Sequence, residues 1–271
     1  MQFALCNEMF TGRSHERVAA TAAKLGYHGV EIAPFTLSEF PDRLPGTDRT
    51  KIRRAFEDSG VRVIGLHWLL AGPGKFSATT EDKDLFKRTR EFLESMVVLC
   101  RELGGEVLVF GSPRQRSIEP RQDRREVFSR VAELFRRLCS PASESGVTIC
   151  LEPLTSKETN FINTASEAVE LISAVGHPSF KLHLDVKAMC AGENKPPADV
   201  VREFGPGRLH HFHANDPNLL GPGMGDFDFK PVAEALKEIG YDRWISVETF
   251  AEGPGPEAIA RQSIETLKAC F

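Results

Sequence analysis

Four ionisable side chains stand out because each closes a short apolar run that otherwise reads as a buried strand. Asp185 sits in KLHLDVKAM, Glu152 in CLEPL, His213 in LHHFHAND and Glu248 in ISVETF. A carboxylate is rarely buried without a partner or a metal. Three carboxylates and one imidazole suit a divalent cation of intermediate hardness, Mn²⁺ or Mg²⁺, with Co²⁺ also compatible. No cysteine belongs to the set, which argues against a structural zinc site. Without a cation, the three carboxylates would repel and raise one another's pKa. The expectation is that four strand ends converge on one metal ion.

The elements that must position them alternate along the whole chain. Strand-like runs fall at residues 3–6, 29–35, 61–70, 107–111, 147–154, 181–186, 209–214 and 244–250. Amphipathic helical patterns lie between them, and one closes the chain. One of these, residues 164–176, opens on a capping box from Thr164 to Glu167 and stops at Gly176. Eight strands alternating with eight helices demand parallel pairing through right-handed crossovers. Over residues 1–271 this predicts α/β architecture as a single (β/α)8 TIM barrel. A doubly wound open sheet is the competitor, weakened because no GxGxxG follows the first strand.

Active sites of such barrels lie at the C-terminal strand ends. The residues expected at that mouth are Asn7, Glu8, Glu31, His67, Trp68, Glu152, Asp185, His213 and Glu248. Alternation along an extended sixth strand would put His183, Asp185 and Lys187 on one face. Asp216, three residues after His213, is a candidate to orient that imidazole from behind or to pair with Lys187. The glycine-rich stretch LLGPGMGDFD, residues 219–228, lacks the Lys-Ser/Thr of a phosphate loop and reads as a tight loop.

These motifs carry a resemblance. GVEIAPF, GLHW, LEPLTSKETNFINT, LHLDVKAM, HFHANDP, PGMGDFDF and GYDRWISVETF, spread over residues 29–250, make the chain similar to the xylose-isomerase-like TIM-barrel superfamily. Within it, the chain most resembles the sugar (phosphate) isomerase/epimerase group. The resemblance implies that Glu152, Asp185, His213 and Glu248 are the metal ligands, with Glu152 and Glu248 also acting as the catalytic acid/base pair. It further implies that Glu158, His67 and Trp68 contact substrate. Two departures stand against the epimerase pattern. Ala188 occupies the place of a substrate-binding histidine, and Asn218 and Leu219 stand where an arginine is usual. Lys187 is the residue that could compensate, as a substrate-binding cation or, with a lowered pKa, as an acid/base.

The implied activity is metal-dependent isomerisation or epimerisation of a sugar or sugar phosphate, by proton transfer next to a carbonyl through an enediolate. A lyase working by β-elimination from a keto-sugar, keto-inositol or 3-keto-glycoside is the alternative. A non-catalytic sugar-binding barrel would not need all four ligands. A DNA-repair endonuclease would need more histidines and a basic groove.

Composition agrees with a small-molecule enzyme. The chain is 41% hydrophobic and 27% charged, with net charge −4, so nucleic acid is not an expected partner. Arg114, Arg116, Arg121, Arg124 and Arg125 form a basic run that reads as a solvated loop and helix start. The six cysteines include no CxxC pair and read as free thiols of a reducing, cytoplasmic compartment. No apolar run reaches membrane-spanning length, and no leader is apparent before the strand-like run at Phe3. The partner expected is a sugar or polyol, with a homo-oligomer expected from the resemblance.

Overall fold

The computed structural model describes residues 1–72, 74–250 and 253–271. Eight strands pair in sequence order and close on themselves: β1 (Gln2–Cys6), β2 (Gly29–Ile32), β3 (Arg62–Leu66), β4 (Val107–Phe110), β5 (Thr148–Leu151), β6 (Phe180–Asp185), β7 (Leu209–Ala214) and β8 (Trp244–Val247). Every neighbouring pair is parallel, including β1 with β8. This is the (β/α)8 barrel that the alternating pattern predicts.

The helices between them are α1 (His15–Leu25), α2 (Gly46–Glu57), α3 (Lys83–Leu103), α4 (Arg124–Glu144), α5 (Ala165–Val175), α6 (Val186–Gly192), α7 (Pro197–Phe204), α8 (Lys230–Glu238) and α9 (Pro256–Cys270). The β6–β7 connection carries two of them, so the described residues hold nine α-helices rather than eight. Sequence reasoning ran the sixth strand past Asp185. The chain instead turns helical at Val186, with Asp185 as N-cap, its Oδ1 accepting from Ala188 N at 2.7 Å. The predicted start of α5 is observed with one change. Thr164 Oγ1 accepts from Glu167 N, but the Glu167 carboxylate accepts from Asn163 N. Gly176 ends the helix at φ 67°, where a side chain would be strained.

The main core fills the space between the outer barrel face and the helices; within it the Phe135 ring meets Phe110 edge-to-face at 4.9 Å and stacks on Phe180 at 4.5 Å. Two separate apolar clusters, Ala4–Ile64–Trp244 and Val107–Val109–Cys150, come from inward-facing positions low in the barrel. Period-two alternation then carries the same inner faces upward into polar residues: Trp244 to Ser246 to Glu248, and Cys150 to Glu152. Register aligns Asp185 with His213, and His213 with Ser246. Shifts in register fall between Val30 and Glu31 and between Leu182 and His183, each beside an inward polar side chain. No helix among the described residues is long and apolar enough to cross a membrane.

Candidate active site

Glu152, Asp185, His213 and Glu248 meet at the C-terminal mouth of the barrel. Each offers a ligand atom within 4.8 Å of those of the others, and all four residues are buried. Glu152 and Glu248 are the first residues beyond β5 and β8, Asp185 ends β6, and His213 is the penultimate residue of β7. Consecutive strands therefore deliver them side by side.

Each is held from outside the set. Asp185 Oδ2 accepts from Asn215 Nδ2, while Asn215 Oδ1 accepts from Lys187 N at 2.8 Å. Glu248 Oε1 accepts from Trp68 Nε1 at 2.9 Å and lies 3.2 Å from His67 Nδ1. Trp68 does this from φ 52°, a left-handed conformation unusual for a bulky residue and characteristic of functional sites. Gly111, just past β4, leaves space for Glu152: a Cβ there would overlap Glu152 Oε2.

One support of this site, Arg116, escaped sequence reasoning, and another, Glu31, was expected at the mouth without its partners. Arg116, expected in a solvated basic loop, is 1% exposed. Its Nη1 donates to Glu152 O at 2.6 Å and to Phe110 O at 3.4 Å. A guanidinium able to satisfy two strand-end carbonyls can be buried where a lone arginine would not be. Nothing in the sequence separates it from the four exposed arginines of the same run. Asp216 is likewise not where it was expected. Both ring nitrogens of His213 face other carboxylates: Glu248 Oε2 lies 3.1 Å from Nδ1, and Glu31 Oε2 3.2 Å from Nε2. Asp216 turns into its own loop, 3.5 Å from Asn218 N. Glu31, expected at the mouth as either a structural partner for a basic group or a substrate contact, is that structural partner: it is fully buried and also 2.7 Å from His211 Nε2. Its signal was a charged residue inside an otherwise apolar strand.

Lys187 lies on the first turn of α6, not on a strand. Its ammonium still reaches the mouth, 3.0 Å from Glu158 Oε1 and 4.1 Å above the centre of the Phe250 ring. Burial alone would lower its pKa, but Asp185, Glu158, Glu248 and Glu152 together hold it above the ordinary value. It is a fixed cation, not a base poised near neutrality. Glu158 is anchored by Thr155 N and Oγ1 at 3.1 and 2.9 Å. His67, Trp68, Glu158 and Lys187 line one small recess with Glu152, Glu248 and Phe250.

Electrostatics divides the carboxylates. Burial, followed by the charges of Glu248 and Asp185, pushes Glu152 up to about 8. Burial would raise Glu248 too, but the His213 and His67 rings hold it well below the usual carboxylate range. Paired carboxylates with opposed environments are what acid/base chemistry uses. A site that forces a proton onto one carboxylate at neutral pH also has the donor set and the excess negative charge that a divalent cation would satisfy.

Known proteins agree with this architecture. A probable ketose 3-epimerase of Synechocystis sp. is 25% identical over 280 residues, covering 95% of this chain and 91% of the relative. The crystal structure of a D-psicose 3-epimerase with D-tagatose, from Clostridium cellulolyticum H10, superposes with a TM-score of 0.85 at 20% identity, over 100% of this chain and 98% of the other. A 3-keto-D-glucoside 4-epimerase from E. coli superposes with a TM-score of 0.84 at 20% identity over 100% of both chains. The family model described as xylose isomerase-like TIM barrel matches residues 19–270, and the chain belongs to that family.

Proposed function

We infer that this protein is a divalent-metal-dependent epimerase or isomerase of a keto-sugar, moving a proton next to a carbonyl through an enediolate. The observation that carries this is the buried meeting of Glu152, Asp185, His213 and Glu248 within 4.8 Å at the barrel mouth. The names of the relatives, ketose 3-epimerase and D-psicose 3-epimerase, agree with it.

In this reading the four residues hold the cation, with Mn²⁺ or Mg²⁺ the best match to three carboxylates and one imidazole and Co²⁺ also compatible. The bound cation supplies positive charge that offsets the negative charge developing as the C–H beside the carbonyl is broken. Glu248, kept ionised by His67 and His213, removes that proton. Glu152 returns a proton from the other side. Trp68 and His67 fix the orientation of the Glu248 carboxylate. Lys187 and Glu158, locked together at the edge of the recess, contact substrate hydroxyl groups there. The six free cysteines accord with a reducing, cytoplasmic setting.

The test is incubation of metal-loaded protein with a panel of ketoses in D₂O. Deuterium wash-in at the carbon beside the carbonyl, with the molecular formula conserved, is the expected result. Loss of water or of an aglycone would replace this reading with the β-elimination alternative. Absence of exchange in every ketose would remove the enzyme reading altogether.

A further inference from the structure

The recess lined by Glu152 and Glu248 shares a wall with a much larger open cleft. This cleft has a volume of about 1010 Å³ and lies over the ends of β8, β1 and β2 and the start of α9. Its lining includes Glu8, Phe10, Arg13, Phe35, Trp68 and Phe250. Trp68 and Phe250 belong to both spaces. A ligand reacting at Glu152 and Glu248 can therefore extend along these two rings into the cleft.

A single ketose does not account for this space. Even if each of the roughly 12 non-hydrogen atoms of a hexose is granted the ≈ 30 Å³ share of a liquid water molecule, it occupies about 360 Å³. The lining points the same way. Phe35 and Phe250 are each 38% exposed, among the few large apolar side chains on the described surface that are left open to water. Both open onto this cleft, and Trp68 is held between it and Glu248 by its indole hydrogen bond. Aromatic side chains clustered on a wall beside a few polar groups form a surface for the apolar face of a pyranose.

Charge selects among the possible extensions. Arg13 is the cation on this wall, and it is already paired with Glu257 at 2.5 Å while stacking over Phe10 at 5.2 Å. Glu8 is the carboxylate on the same wall; its Oε2 lies 3.0 Å from His67 Nε2, and both of its oxygens are buried. A phosphate would meet a neutralised arginine and a carboxylate. A neutral polyhydroxylated ring would meet aromatic faces and bring no second negative charge beside Glu8.

We propose that the cleft is a second sugar subsite, and that the protein's substrate is a ketose carrying a glycosyl substituent. The ketose reacts at Glu152 and Glu248, and the appended ring lies against Trp68, Phe35 and Phe250. This rests on the epimerase reading above and extends it to the substrate class.

The experiment compares three probes in D₂O with metal-loaded protein: D-fructose, D-fructose 6-phosphate, and isomaltulose, in which a glucosyl group sits on the same O6. The expected result is a kcat/KM for deuterium wash-in at least tenfold higher for isomaltulose than for either of the others. Phe35→Ala should shrink that preference by about tenfold, because its exposed ring is outside the core. Binding is read separately from turnover, by quenching of Trp68 fluorescence in metal-free protein; Trp244 is buried in the barrel floor. Isomaltulose should bind at least tenfold tighter than D-fructose. Equal kcat/KM for the three, or a preference for the 6-phosphate, overturns the subsite and leaves the epimerase reading standing. Exchange in none of the three, with isomaltulose still binding tighter, overturns the epimerase reading and keeps the subsite. No exchange and no preference in binding overturns both. A cleft covered by a second copy of the chain would show no preference together with a doubled mass in solution, and this too overturns the subsite.

Discussion

Glu31 and His213 form a buried pair inside the barrel, with Glu31 Oε2 3.2 Å from His213 Nε2 on the side of the ring away from Glu248. In the metal-free protein the ring is held protonated, its pKa well above the ordinary value although burial opposes this, because Glu31 and Glu248 flank it. A cation held by Glu152, Asp185, His213 and Glu248 would require the His213 ring neutral, and Glu31, facing Nε2, would fix its tautomer. Glu31→Gln should therefore lower Mn²⁺ affinity by about 10–100-fold. Asp216→Asn should leave it unchanged, since Asp216 does not touch the ring. Calorimetric titration against a competing chelator measures both. Undiminished Mn²⁺ affinity in Glu31→Gln would remove Glu31 from the metal centre.

The metal-free protein should lose stability as pH rises from 6.5 to 8. Over this window the folded chain binds more protons than the unfolded one. Glu152 titrates near 8 instead of 4.5, and His213 and His67 titrate above their ordinary 6.5. Each raised group stabilises the fold fully below its unfolded pKa and loses that contribution as pH climbs through its folded pKa. His15, His183, His210 and His211, whose values are lowered by burial first, oppose the trend near pH 6.5, where unfolded histidines are half protonated, and cease to do so as those lose their charge towards pH 8. Mn²⁺ should abolish or reverse it, because a cation needs deprotonated ligands. Thermal unfolding across pH with and without Mn²⁺ reads the difference. A metal-free protein whose Tm rises across this interval would contradict the buried arrangement of these groups, and no Mn²⁺ stabilisation at any pH would contradict the metal site.

Glu248→Gln should reduce deuterium exchange by about 10²–10⁴-fold, the range of a lost general base. Trp68→Phe is the finer probe. It keeps an aromatic ring but deletes the donor that holds Glu248 Oε1 at 2.9 Å. The expected effect is a fall in kcat of about tenfold, the equivalent of one hydrogen bond of about 1.4 kcal/mol. A change confined to KM would show that Trp68 serves only to bind substrate.

Much of this was legible because a barrel strand announces itself twice, as an apolar run and as a polar residue at its end. Asp185 and Glu248 were visible as charges that an apolar strand would not otherwise tolerate. Lys187 shows the limit. Periodicity alone could not tell that Asp185 caps a helix, because DVKAM is compatible with either backbone until the Asp185–Ala188 hydrogen bond is seen. The partners of Arg116 and Glu31 were illegible for a different reason. They lie 36 and about 180 residues away: the Glu152 carbonyl, and His211 and His213 of β7. Closure of the barrel creates those contacts, and nothing in the local sequence marks them.

Closure also explains why position 111 must be glycine. A Cβ there would overlap Glu152 Oε2 and lie 2.9 Å from Glu152 Cδ. The Glu152 backbone cannot retreat, since its N donates to Phe110 O at 3.2 Å and its O accepts from Arg116. Gly111→Ala must therefore displace the carboxylate itself. The cost to folding should be modest, roughly 1–3 kcal/mol for one added methyl at a strand end. The cost to the site should be far larger: loss of tight Mn²⁺ binding and of deuterium exchange, with the circular dichroism spectrum unchanged. Adding Glu152→Asp to Gly111→Ala shortens the side chain by one methylene and relieves the overlap. Partial recovery of Mn²⁺ affinity in the double variant, relative to Gly111→Ala alone, is the expected outcome. Full Mn²⁺ affinity in Gly111→Ala would show that the Glu152 carboxylate does not occupy this space when the cation is bound.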